Sequence, residues 1–371
     1  MNKIKENFKI RIFQPIIQEY RVALYEGLRD VYGDRMELWA SPNRGEEVSL
    51  PIRDMRCDYS HVMRKFGPFV WQCGLTLHGL ERGDVVVVCG DLHHLSTLWL
   101  ALKAKCIGIK VVWWGHHKSA GAKERNVKIR LWFAKKLSDV MLCYTDEGIG
   151  FLKQMGFDGD RIFATGNTLD LDSVRMSTEG WNGERIFEDK KTLLFCGVLR
   201  FKAQLEVLLR AIKRLSDIRN DFHCVIIGAG ETERADKALA NELGISSFLT
   251  WVGEVRGQQN LAPWFLSSDL FVYPGSIGLS LIHAFSFGLP VILNDNKHGH
   301  GPEYVTFIPG ENGWMFKQGD DSDLAEKIEK ALLSGDLQTR GEAGRQLVFR
   351  EYSMASMVKR FAEALECAGR G

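Results

Sequence analysis

No Cys-x-x-Cys pair occurs in the 371 residues, although eight cysteines are spread along the chain. No Cys/His spacing of the structural-zinc kind is present either. Several thiols lie inside apolar runs, such as Val88-Cys89-Gly90 and Phe195-Cys196-Gly197, and read as small buried hydrophobes of a reducing compartment. An excess of one charge is also missing. Lys and Arg number 48 and Asp and Glu 47, a net of +1, which removes any global electrostatic case for nucleic acid. No apolar run approaches the roughly 18–20 residues of a membrane span. The N-terminus Met1-Asn2-Lys3-Ile4-Lys5-Glu6 lacks the apolar core of a secretory signal. On these grounds the expected location is the cytoplasm. What remains is an ordinary globular composition, 45% hydrophobic and 26% charged, with length enough for two or three domains.

Strand-like runs alternate with helical patterns throughout, which predicts an α/β chain with parallel sheets covered on both faces. Asp84 to Cys89 is nearly continuous apolar sequence, as in a buried parallel strand. The stretch 171–190 is rich in Ser, Thr, Gly, Asn and Asp with weak periodicity and reads as a linker. The expected organisation is therefore a Rossmann-like domain over 1–170, a linker over 171–190, a second Rossmann-like domain over 191–350, and a C-terminal helix in 351–371 that packs back on the first domain. Two such domains would face each other across a cleft, with ligands beyond the carboxyl ends of the strands.

One segment stands out. Phe271-Val272-Tyr273-Pro274-Gly275-Ser276-Ile277-Gly278-Leu279-Ser280 is a strand, a loop with two glycines, and a helix start. Gly275 and Gly278 allow close backbone approach to a ligand, and the N–H groups at Leu279 and Ser280 suit a diphosphate. The plainer alternative is a tight strand–helix turn with no ligand. Ordered around this segment are Leu194-Phe195-Cys196-Gly197, Val225-Ile226-Ile227-Gly228-Ala229-Gly230-Glu231, Leu249-Thr250-Trp251-Val252-Gly253-Glu254, Gly288-Leu289-Pro290-Val291-Ile292, Gly301-Pro302-Glu303 and Pro309-Gly310-Glu311-Asn312-Gly313. In this order they resemble the C-terminal domain of the retaining glycosyltransferases of family 4, which have the two-domain fold called GT-B. The resemblance spans the C-terminal half. In the N-terminal half only Arg161 to Asn167 matches beyond architecture.

The resemblance implies a metal-independent transferase that moves a sugar, with retention, from a nucleotide-diphosphate sugar to a glycan or lipid-linked acceptor, in surface polysaccharide synthesis. No cofactor is implied beyond the donor substrate itself. Gly197, Gly228, Gly230, Glu231, Gly253, Gly275, Gly278, Leu279, Ser280 and His283 would line the donor. The family usually has two glutamates where Gly275 and His283 stand here. It also places an Arg and a Lys where Val198 and Ala203 stand, so Arg200 and Lys202 are the cations expected to neutralise the departing diphosphate. Solvated surface cations are the alternative for that pair, and a satisfied core histidine is the alternative for His283.

In the first half, Val111-Val112-Trp113-Trp114-Gly115-His116-His117 ends a buried strand in two histidines. His116 is the expected sugar or acceptor contact, ahead of His117. Asp91 and His93 follow another strand end, and Gln14 and Arg21 follow the first strand, so all four are candidates for the acceptor side. Asp158-Gly159-Asp160 and Asp170-Leu171-Asp172 have the Asp-x-Asp pattern of metal-dependent transferases, but their turn-like setting favours capping roles and no metal is expected. Lys118, Lys123, Arg125, Lys128, Arg130, Lys135 and Lys136 surround Trp132 and Phe133. This 118–136 segment reads as a basic face that is either simply solvated or laid peripherally on the anionic inner surface of the plasma membrane. No recognition motif for nucleic acid accompanies it. Three other readings stay open: a nucleotide-sugar 2-epimerase of the same fold, a non-catalytic partner subunit, and a lipid-membrane binding protein.

Overall fold

Ile10–Phe13 (β1) and Val85–Cys89 (β8) are apolar or flanked by apolar residues at nearly every position, and both are almost wholly buried. Strands of this kind sit at the centre of parallel sheets. The computed structural model describes residues 7–41, 43–44, 47–48, 57–58, 62–116 and 124–370. It divides into two units, 1–167 with 354–371, and 168–353.

In the first unit, β1 leads to the helix Val22–Tyr32 (α1) and the strand Met36–Trp39 (β2). Short strands follow at Asn43–Arg44 (β3), Glu47–Val48 (β4) and Cys57–Asp58 (β5), then a hairpin of Met63–Phe66 (β6) and Phe69–Gln72 (β7). After β8 come the helix Leu95–Cys106 (α2), the strand Lys110–Trp114 (β9), the helix Glu124–Leu137 (α3), the strand Val140–Cys143 (β10), the helix Asp146–Gln154 (α4) and the strand Ile162–Ala164 (β11). The main sheet has the order β11-β10-β9-β8-β1-β2-β5, and its pairings are all parallel. Strand order reverses between β1 and β8, the kind of switch point that opens a ligand site at carboxyl ends.

The second unit starts with the helix Leu171–Thr178 (α5). It continues through Lys191–Cys196 (β12), Leu205–Ser216 (α6), Phe222–Ile227 (β13), Glu233–Glu242 (α7), Leu249–Gly253 (β14), Gln258–Leu266 (α8), Leu270–Tyr273 (β15), Ser280–Ser286 (α9), Val291–Asn294 (β16) and Gly313–Phe316 (β17). Asp321–Leu333 (α10) and Leu337–Glu351 (α11) complete it, and Met354–Arg370 (α12) returns to the first unit. The sheet order is β14-β13-β12-β15-β16-β17, all parallel, with its switch between β12 and β15.

Several expectations need correcting. Residues 171–190 are not a linker throughout. Asp170 caps α5 by accepting from the backbone N–H groups of Asp172 and Ser173, and Leu171 and Val174 are buried in the second unit's core. The division between units falls at 167/168 rather than at 170/171. The hairpin β6–β7, the strand β17 and the helix α11 are further elements that the sequence reading did not place. The thiols of Cys143, Cys196 and Cys224 are pushed up to about 12 by burial, but Cys106 is exposed rather than a core residue.

Candidate functional site

The carboxyl ends of β1, β8, β9 and β10 gather around a cavity of about 560 Å³, within the usual range for small-molecule sites. Gln14 follows β1, Asp91 and His93 follow β8, His116 follows β9 and Tyr144 follows β10, and all of them line it. Arg21, from the turn just before α1, lines it too. The structure thus brings together Gln14, Arg21, Asp91, His93 and His116. His117 and residues 118–123 lie outside the described residues.

The pocket's polar groups are fixed by neighbours. Asp91 accepts from the His93 backbone N–H at 3.0 Å and meets His93 Nδ1 at 2.7 Å. Burial pushes the Asp91 carboxyl up, but the backbone and ring bonds from His93 outweigh it and hold the group below the ordinary carboxylate value. The His116 ring is exposed and packs on Tyr144 with centroids 4.7 Å apart. Arg21 is 7% exposed. Its Nη2 donates to Asn167 Oδ1 at 2.8 Å and to the Tyr144 hydroxyl at 3.4 Å. Its guanidinium carbon lies 4.8 Å from the Trp114 ring centre and 5.0 Å from that of Tyr20, cation–π distances.

Tyr20, Tyr25, Trp114, Asn126, Arg130 and Tyr144 also line the cavity, and none was expected there from sequence. Tyr144 was within reach, because it follows a strand end as His116 does. Arg130 was not, because it reads as one more cation of a basic helix. On α3, Val127, Leu131 and Ala134 form the buried stripe at helical spacing. Arg130 sits at the edge of that stripe and enters the pocket. Burial pushes its guanidinium down, and the Asp91 charge works against that shift. The basic face expected over 118–136 therefore loses Arg130 to the pocket, while Lys128, Lys135 and Lys136 remain exposed beside Trp132.

In the second unit the predicted donor residues cluster at the corresponding sheet edge. Gly197 follows β12, Gly228, Gly230 and Glu231 follow β13, Gly253 ends β14, and Gly275, Gly278, Leu279 and Ser280 lie between β15 and α9. Gly197 N–H donates to Ile227 O at 3.0 Å, Gly228 N–H to Gly253 O at 2.8 Å, and Ser276 N–H to Lys202 O at 2.8 Å, so these loops are tied to one another. Gly228 has φ of 140°, and a methyl group there would overlap the Gly197 carbonyl oxygen. A methyl at Gly275 would overlap the Lys202 carbonyl. The first demand on both glycines is therefore the chain's own backbone rather than a ligand.

Arg200 and Lys202 flank the exposed tip Phe201 and are themselves exposed. The Arg200 charge reaches the buried Tyr273 hydroxyl: burial pushes that phenol up, and Arg200 partly offsets it. Gln204 ends this loop in the left-handed region at φ 50°. Glu231 is exposed.

His283 departs from expectation. It is buried, with its ring 4.5 Å from that of Phe265 and 5.3 Å from that of Phe287, and its Nε2 bonds Gln258 Oε1 at 2.7 Å. This is the satisfied core histidine given as the alternative, and burial pushes the imidazole down to about 4, so it is neutral. A scaffold missed in the sequence stands behind the glycine loop. Asn294 Nδ2 donates to Pro274 O at 2.8 Å and Gly275 O at 3.0 Å. His300 Nδ1 accepts from the Ile277 N–H at 3.2 Å, while its Nε2 meets Asn294 O at 3.1 Å. The Glu303 carboxylate is buried against Gly278 and Gly301.

Asp158 and Asp170 accept from backbone N–H groups two and three residues on, as turn and cap formers. Among the described residues no group of three or more His, Cys, Asp or Glu side chains is placed to hold a metal ion.

Two Rossmann-like units with all-parallel main sheets, each with its candidate residues at strand carboxyl ends, define a GT-B protein. Residues 180–365 match the family model described as glycosyl transferases group 1, and the chain belongs to that family. It is 28% identical over 193 residues to an uncharacterized glycosyltransferase of Methanocaldococcus jannaschii, covering 49% of this chain and 47% of that one. It is 25% identical over 195 residues to the lipopolysaccharide 1,2-N-acetylglucosaminetransferase of Salmonella typhimurium, covering 49% of each. The chain thus spans about half the length of these curated relatives. Among solved structures, HepE of Anabaena in complex with UDP superposes with a TM-score of 0.68 at 12% identity, over 96% of this chain and 99% of that one.

Proposed function

We propose that this chain is a glycosyltransferase that takes a sugar from a nucleoside-diphosphate sugar bound by the second unit and passes it to an acceptor held in the first-unit pocket. The observation that carries the reading is the pair Arg200 and Lys202, exposed and without a recorded salt bridge among the described residues, beside the tied glycine loops at a sheet's carboxyl edge. As the bond from the anomeric carbon to the diphosphate breaks, negative charge grows on the leaving oxygens, and two nearby cations stabilise it most at that moment. They take the role that a metal has in other transferases, so the reading is metal-independent. Retention of configuration rests on the resemblance to family 4. The acceptor oxygen then bonds the anomeric carbon on the face the diphosphate leaves, and its proton passes to a departing phosphate oxygen. No strong protein base is needed. On the acceptor side, His116, with Asp91, His93, Gln14 and Arg21, orients the incoming hydroxyl.

UDP is the first nucleotide to test, because HepE was solved with it. A thermal-shift screen of nucleoside diphosphates on the full chain is expected to raise the melting temperature by mass action. Arg200→Ala and Lys202→Ala should each weaken that shift. If no nucleoside diphosphate stabilises the wild type, the donor reading fails. A second reading, a non-catalytic partner subunit, is favoured by one observation: Gly275 and the buried His283 stand where the family has its two glutamates. Calorimetry that detects nucleotide binding but no transfer to any acceptor would favour it.

Peripheral membrane association is a further part of the proposal. Trp132 is 58% exposed on α3 among exposed Lys128, Lys135 and Lys136, and Trp99 and Leu102 are exposed on α2. Aromatic side chains set among lysines suit an anionic lipid surface.

A further inference from the structure

Among the described residues of the first unit two arginines are buried, and they are treated differently. Arg11, 3% exposed, is neutralised in the usual way: its Nε donates to Glu37 Oε2 at 2.7 Å, and Nη1 donates to the Thr76 and His78 carbonyls. Arg21, 7% exposed, meets neutral groups among the described residues. They are Asn167 Oδ1 at 2.8 Å, the Tyr144 hydroxyl at 3.4 Å, Met357 Sδ at 3.6 Å, and the rings of Trp114, Tyr20 and Tyr144. A guanidinium has five N–H donors. Those to Met357, Tyr144 and Asn167 use three, which among the described residues leaves two for another acceptor. A buried cation without a carboxylate is costly to the fold, so its retention calls for a source of negative charge.

The charge balance of the pocket points the same way. Arg21 and Arg130 both line it, and Asp91 is the one carboxylate among its lining residues. Its charge also acts on Arg130, so one negative group stands against two guanidiniums in the lining. We infer that the first-unit pocket binds an oxyanion carried by the acceptor, a phosphate or a carboxylate, through Arg21 and Arg130. The inference rests on the proposed reading of this pocket as the acceptor site. The rings of Trp114, Tyr20 and Tyr144 hold the Arg21 guanidinium flat, and Asn167 fixes its turn about the side-chain axis. The guanidinium is thus set in place before the ligand arrives, which lowers the entropy cost of a charge-assisted pair. Gln14, Gln18 and Asn126 add neutral donors and acceptors suited to hydroxyls.

The test uses the full chain saturated with whichever nucleoside diphosphate the thermal screen identifies, so that anionic probes cannot report on the donor loops. Inorganic phosphate, glucose 1-phosphate, glucuronate and glucose are titrated by calorimetry. Glucose 1-phosphate or glucuronate is expected to bind about tenfold or more tightly than glucose. The stronger of the two tells whether the group is a phosphate or a carboxylate. Arg21→Met should remove that preference, Arg21→Lys should keep part of it, and Arg130→Gln should weaken it. The ligand-free melting temperature of Arg21→Met should be unchanged or higher, because a desolvated charge is removed. A structural arginine would show the reverse: a lower melting temperature with anion binding intact. That result, or glucose binding as tightly as the anionic probes, overturns the inference. Neither result affects the donor reading, which stands or falls on the nucleoside-diphosphate shift.

Discussion

His283 shows how one side chain sets a pH response. In the fold its imidazole is pushed by burial from the ordinary value near 6.5 to about 4. The unfolded chain therefore binds the proton more readily between those values, and stability falls as pH drops from about 6.5 towards 4. The loss is roughly 3 kcal/mol for this residue alone. His223 and His300 are also pushed down by burial and act in the same direction. Denaturant unfolding of the second unit at pH 7 and pH 4.5 should show the drop, and His283→Gln should flatten it. An unchanged pH slope in that variant would show that another group is responsible. Residue-level legibility was uneven. Gly228 and Gly275 were visible as glycines that matter, but their immediate reason, contact with the Gly197 and Lys202 carbonyls, involves residues far apart in sequence. Arg21 gave no local sign of being a buried cation, because what buries it comes from Trp114, Tyr144 and Met357.

At the scale of elements, alternation of strand and helix was plain wherever a buried strand is a run of apolar residues, as in β8, β13 and β15. It failed where an element depends on its neighbours. Helix α11 contains Gly341 and Gly344, both buried. Here they allow close approach, since a methyl at Gly341 would overlap the Gly288 carbonyl and one at Gly344 the Phe285 ring. Helix α5 is short and rich in Ser, Thr and Asp, and it exists because Leu171 and Val174 find a core to enter. Helix α12 completes the first unit from the far end of the sequence. It packs on α1 and across β9 to β11, with Phe361 fully buried and edge-on to Trp114 at 5.0 Å. Phe361→Ala should cost about 3–5 kcal/mol. Calorimetry should show a lower melting temperature for the first unit. If the second unit's transition moves instead, α12 has been assigned to the wrong body.

For the molecule as a whole, the proposed membrane contact gives the clearest test. Charge reversal at Lys135→Glu with Lys136→Glu should reduce co-flotation with vesicles containing anionic lipid, and Trp132→Ser should reduce it further. Vesicles of neutral lipid should capture little of any form, because the electrostatic part is missing. Equal capture by both vesicle types would remove the cationic face from the proposal. No helix among the described residues is long and apolar enough to cross a membrane. From sequence alone came the α/β class, two Rossmann-like halves, and the strand ends at which the candidate residues sit. These follow from local periodicity and from glycines at fixed offsets, which one stretch of chain can carry. Only the tertiary structure decided that Arg21 and Arg130 share a pocket and that His283 turns to Gln258. Burial and charge pairing are set by residues distant in sequence, and no local pattern records which of them will meet.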